Sequence, residues 1–131
     1  MGDMVDIAAL KGELSKRFHS DCRRCDAGAF FDSFSEFVRQ VFNGTFSVDD
    51  NPYRKWMECR IKCFGKYAGM VADEIDDRIL RDMHLCEDLR DNGLQTSIVV
   101  TCHEDGVEIN GYHRLVIWQV LGNDKIRYIV K

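Results

Sequence analysis

Six cysteines and four histidines are the residues best equipped for chemistry in this chain. Cys22-Arg-Arg-Cys25 forms a C-x-x-C pair with His19 three residues before it, and Cys59 and Cys63 form a second pair one helical turn apart. The two arginines inside the first pair would lower thiol pKa values, which suits redox or metal chemistry. A thioredoxin-type motif, however, sits close to a β-strand, whereas here a helical pattern leads into Cys22. A structural zinc site needs four ligands, and Cys22 continues the apolar stripe of that helix, where a buried cysteine behaves as a small hydrophobe. The cysteines, with Cys86 and Cys102, are therefore read as reduced structural thiols, with no metal ligand and no cofactor assigned.

The histidines offer no better handle. His84 and His103 lie near Cys86 and Cys102 on expected neighbouring strands, but His84 alternates onto a polar face and His103 sits at a turn. Together with His113 they read as exposed or satisfied side chains, so no general base is named. Arg54, Lys55, Lys62 and Lys66, with Arg60 nearby, read as a solvated helix face. Asp73-Glu74-Asp76-Asp77 reads as a charged loop, because its spacing is not that of an EF-hand.

The elements that would position these groups follow from apolar periodicity. Residues 4–22 carry Ile7, Leu10, Leu14, Phe18 and Cys22 at three- and four-residue spacing, which predicts an amphipathic helix. Asp26 is suited to cap a second, short helix ending near Phe34. The runs on either side of Asn43-Gly44 predict a β-hairpin, since that dipeptide tolerates the positive φ angles of a type I′ turn. The turn explains Asn43-Gly44-Thr45 better than a glycosylation sequon does. Pro52 suits the first turn of a third helix over about residues 52–68, with Tyr53, Trp56, Met57, Ile61 and Phe64 on its stripe. Strands are expected at 78–89, 94–103, 107–121 and 125–131, joined by short Gly- and Asn-containing turns into an antiparallel meander. The strand 107–121 is apolar at both parities, which predicts a central strand covered on both faces, by helices on one side and a second subunit on the other.

Composition bounds the rest. The chain has 131 residues, 45% of them hydrophobic and 31% charged, which fits one domain (1–131) with a core of its own. A net charge of −4 argues against a nucleic-acid binder, and no apolar run approaches the ~20 residues of a membrane span. Met1-Gly2-Asp3-Met4-Val5-Asp6 is neither a secretory signal nor a myristoylation start, so a cytoplasmic location is expected.

The fold class expected is α+β: three N-terminal helices with a short hairpin, packed in a curved antiparallel sheet. That element order resembles the nuclear transport factor 2-like superfamily, cone-shaped domains related to ketosteroid isomerases and polyketide cyclases. The stretches that carry the resemblance are Cys25-Asp26-Ala27 with Phe34, the Phe42-Asn-Gly-Thr45 hairpin, and Gly111-Tyr-His-Arg-Leu-Val-Ile-Trp-Gln-Val120 followed by Asn123-Asp-Lys-Ile126. The resemblance implies a pocket at the mouth of the cone and a homodimer through the outer face of the sheet. It also allows a test for isomerase chemistry. The positions of the tyrosine, the carboxylate base and the protonated aspartate fall on Phe18, Phe42 and Val116, and none of these can move a proton or stabilise an oxyanion.

By the family's geometry, one face of the long strand, bearing Tyr112, Arg114, Val116 and Trp118, lines the cone with Phe18 and Trp56 opposite. These six residues are the candidate ligand pocket, and Arg114 suits a planar or acidic small molecule. The expectation is a non-catalytic small-molecule-binding or association domain; the alternative is a lyase or isomerase of the polyketide cyclase-like type acting on a small apolar or acidic substrate.

Overall fold

A computed structural model describes residues 3–17, 22–64 and 74–131, with only the backbone of residues 14–17. In chain order the elements are β1 (Asp3–Asp6), α1 (Ile7–Arg17), α2 (Ala27–Asn43), α3 (Pro52–Phe64), α4 (Ile75–Asn92), β2 (Ile98–His103), β3 (Gly106–Asn110), α5 (Tyr112–Val120) and β4 (Lys125–Val130). The class is α+β as expected. The described residues form five helices and one open, mixed sheet in the order β1-β4-β2-β3.

The described residues open with strand β1. Met4 and Val5 pair antiparallel with Arg127 and Ile126, and the amide of Ile7 donates to the Asp124 carbonyl at 2.8 Å. The sheet thus takes the first residues of the stripe assigned to a helix over 4–22, and helix α1 starts at Ile7.

The expected second helix and hairpin are one long helix, α2. The Asp26 carboxylate accepts the Ala29 amide at 2.8 Å and caps its start. Phe30, Phe31, Phe34, Phe37 and Val38 form a buried helical stripe that runs straight through the expected boundary at residue 34. Gly44 closes it at φ 75°. Its amide bonds to Val41 at 3.3 Å while the Thr45 amide bonds to Gln40 at 3.0 Å, the two bonds of a Schellman ending. Asn43-Gly44 therefore supplies a positive φ, but for a helix stop and not for a hairpin.

Asn51 accepts the Arg54 amide at 2.8 Å and opens α3 just before Pro52, in agreement with the expected third helix. Residues 65–73, including the end expected for that helix, lie outside the described residues. The strand expected at 78–89 is instead α4. Ile75, Ile79, Asp82, Cys86 and Leu89 are its buried side, a period of three and four that local alternation obscured. Asp76 and Asp77, expected in a charged loop, stand in its first turn, where acidic groups complement the helix dipole.

β2 and β3 form the expected antiparallel hairpin around residues 104–105. The long strand 107–121 does not exist as such. Its first part is β3, Gly111 turns the chain at φ 105°, and the remainder is α5. Leu115, Val116 and Ile117 are consecutive and all buried, because α5 packs against α2, α4, β2 and β4. Apolarity at both parities thus reflects a helix enclosed on several sides, and a second subunit is not needed to explain it. The helical crossover returns the chain on the far side of β2, so β4 runs parallel to it, with Ile98 opposite Tyr128. A simple meander was expected, but β4 enters between β1 and β2.

A single core joins the sheet and the helices, and its centre is aromatic. The ring of Phe30 lies 5.3 Å from Phe34 and 5.0 Å from Trp56, and Phe34 lies 4.7 Å from Tyr53. These contacts fix α2 against α3, and with them the turn that precedes α2.

Candidate metal centre

That turn carries Cys22 and Cys25. The Cys25 amide bonds to the Cys22 carbonyl at 3.3 Å, folding the C-x-x-C into a knuckle at the entry to α2. Helix α3 presents Cys59 and Cys63 toward it, four residues apart and so on one helical face. Two bonds pin the knuckle to α3: Trp56 Nε1 donates to the Asp26 carbonyl at 3.1 Å, and Arg60 donates to the Cys25 carbonyl at 3.0 Å.

The four Sγ atoms converge within 4.8 Å of one another. Cys22 and Cys59 are 3.8 Å apart, and all of the cysteines in the described residues are free thiols. A tetrahedral ion bound to sulfur at about 2.3 Å sets its ligands about 3.8 Å apart. The cluster grades from the buried Cys25 through Cys22 and Cys59 to the exposed Cys63.

Electrostatics within the cluster are uneven. Hydrogen bonding from Cys25 and from the Arg24 backbone lowers the Cys22 thiol to about 6. Burial, with hydrogen bonds to its neighbours, pushes Cys25 up to about 12. Cys22 in turn raises the pKa of Arg24, through a side-chain hydrogen bond first. Arg24 interacts with Cys22, Cys59 and Cys63, and Arg60 sits at the Cys25 carbonyl, positive charge that offsets deprotonated sulfur.

Comparison with protein-family models, curated proteins and solved structures found no match for this chain. Nothing identifies the nuclear transport factor 2-like superfamily.

The structure brings together two cysteine pairs that the sequence reading left separate and assigned to no metal. A signal existed in C-x-x-C followed by C-x-x-x-C. It was weak because the second half lies on a helix and departs from the usual C-x-x-C repeat. Cys86, by contrast, is a core residue whose thiol burial pushes up to about 12.

Five of the six candidate pocket residues are among the described residues. Phe18 lies outside the described residues, as does His19. Trp56 and Val116 are core residues at 4% and 0% exposure, and Trp118 is half-buried. Tyr112 and Arg114 line a cleft. Strand parity placed 112, 114, 116 and 118 on one face, but in a helix 112 and 116 share a side while 114 and 118 lie round from it. The basic face on α3 is largely paired within the protein, Arg54 with Glu58 and Asp76 and Lys55 with Asp50.

Another polar cluster lies inside the fold. Tyr53 on α3 donates to Asp82 Oδ2 on α4 at 2.8 Å, and its hydroxyl is 3.3 Å from His113 Nε2 at the start of α5. Burial raises the Asp82 carboxyl above its usual range. Burial first, then Arg78 and Arg81, lower the His113 imidazole to about 3. His113 is therefore neutral near pH 7 and satisfied, as expected for the histidines of this chain.

Proposed function

We propose that this chain is a zinc-binding α+β domain whose four-thiolate centre clamps the entry of α2 to α3. The observation that carries the reading is the convergence of Cys22, Cys25, Cys59 and Cys63 within 4.8 Å. Thiolates select soft or borderline ions over calcium and magnesium, and a set of four sulfurs at this spacing suits one tetrahedral ion. Four protein ligands complete the coordination of zinc, leaving no position for water or substrate. The role is thus structural: the ion joins segments distant in sequence and adds its binding energy to folding.

Metal analysis of protein purified without added zinc tests this reading. One zinc per chain is expected, and cobalt substitution should give the visible absorption of a tetrahedral thiolate site. Cys59→Ser should lose both, whereas Cys102→Ser, at an exposed thiol near the end of β2, should lose neither. Protein that purifies without metal and takes up neither ion when reduced would overturn it.

A further inference from the structure

A cleft of about 590 Å³ opens between α4 and the corner where β3 enters α5. It shares no residue with the cysteine centre. Arg78 and Arg81 from α4 and Arg114 from α5 stand along it, with apolar surface from Leu85, Ile109 and Tyr112 between them. Arg114 is held in place by Thr96, through its hydroxyl at 2.6 Å and its carbonyl at 3.3 Å. No side chain caps α5, so the first-turn amides and the helix dipole add to the positive potential.

Asp82 also lines this cleft, and it is the anomaly of the site. Its side chain is 1% exposed. Oδ2 is occupied by Tyr53, but the equally buried Oδ1 accepts no hydrogen bond from the described residues; the nearest cation is Arg81 at 3.5 Å. A buried carboxylate oxygen without a donor is costly, and such groups are normally satisfied by a neighbour, a water or a ligand.

We propose that the cleft binds a small organic phosphate, its phosphate held by Arg78, Arg81 and Arg114 and its amino or hydroxyl group donating to Asp82 Oδ1. Three guanidinium groups offer more donors than the two oxygens of a carboxylate can accept, whereas a phosphate monoester presents three oxygens and a greater charge. The apolar wall accommodates a short carbon chain between the two polar ends. The neutral imidazole of His113 and the carboxylate of Asp88 also line the cleft.

Calorimetric titration with three probes tests this: inorganic phosphate, ethyl phosphate and 2-aminoethyl phosphate. All three should bind saturably, and the amino compound should bind roughly tenfold more tightly than ethyl phosphate, one charge-assisted hydrogen bond being worth that much. Arg78→Ala with Arg81→Ala should weaken every probe by roughly tenfold or more. A control that also removes two exposed cations elsewhere, Arg39→Ala with Lys55→Ala, should leave affinity unchanged. Asp82→Asn should erase the advantage of the amino compound. Absence of saturable binding, or an equal loss in the control, would overturn the site. Equal affinity for the amino and ethyl compounds in the unaltered protein would overturn the role of Asp82. Should Asp82→Asn fail to fold, these comparisons still decide, because neither needs that variant.

Discussion

The Tyr53 hydroxyl and the Asp82 carboxylate meet at 2.8 Å across α3 and α4, both withdrawn from solvent. The bond leaves only one of the two carboxylate oxygens without a donor. Tyr53→Phe would remove the donor while keeping the ring in its aromatic cluster, leaving Oδ2 without its hydrogen bond and Oδ1 with only the 3.5 Å ion pair to Arg81. A buried charged acceptor deprived of its partner costs about 1–3 kcal/mol. Urea unfolding should show that loss at an unchanged m-value, and a loss below about 0.5 kcal/mol would show that Asp82 is served otherwise.

His113 makes stability depend on acidity. Its native pKa, about 3, lies below the unfolded value of about 6.5. As pH falls through 6.5 the unfolded imidazole takes up a proton that the native one refuses, so stability declines by about 1.4 kcal/mol per pH unit until the native pKa is reached. Asp82 acts in the opposite sense: its raised native pKa favours the fold at acid pH, and that benefit is lost as pH rises through it. Stability measured from pH 7 to pH 4.5 should therefore flatten in His113→Gln. A His113→Gln profile parallel to that of the parent would contradict the buried neutral imidazole.

Removal of the zinc proposed for the four-cysteine centre should loosen the contact of α2 with α3 first. With free zinc at a thousand times its Kd, binding contributes about 4 kcal/mol, which for a domain of this size corresponds to a Tm fall of about 10–20 °C on chelation. The same chelator should leave the Tm of Cys59→Ser unmoved. A fall of equal size in that variant would place the metal elsewhere.

Gly111 supports the cleft through its backbone. It adopts φ 105°, and a Cβ at this position would lie 2.5 Å from Arg114 Nη2. Gly111→Ala should therefore cost about 1–3 kcal/mol and displace Arg114 from Thr96. Gly44→Ala meets no atom within 4 Å despite φ 75°, so it should cost only the backbone penalty of about 1–2 kcal/mol. Thermal melts of the two variants give the comparison, and equal losses would mean that Arg114 yields without cost.

Local signals were legible where one physical cause acts alone. Asp26 and Pro52 marked helix starts because a cap or a fixed φ suits only a first turn. The turn at residues 104–105 was likewise legible. Ambiguity entered where two structures share a requirement: Gly44 provides positive φ to a hairpin or to a helix stop, and Leu115-Val116-Ile117 satisfies a doubly covered strand or an enclosed helix.

The sequence by itself determined an α+β domain with a sufficient core, and it carried two cysteine pairs whose spacing suits one face or one turn each. Only the tertiary structure decided that the pairs meet, because the packing of Phe30 on Trp56 sets α2 against α3 and no local pattern encodes that contact. It likewise decided that Arg78, Arg81 and Asp82 face Arg114. Such juxtapositions depend on the crossing of helices far apart in the chain, whereas periodicity reports only which side of each helix is buried.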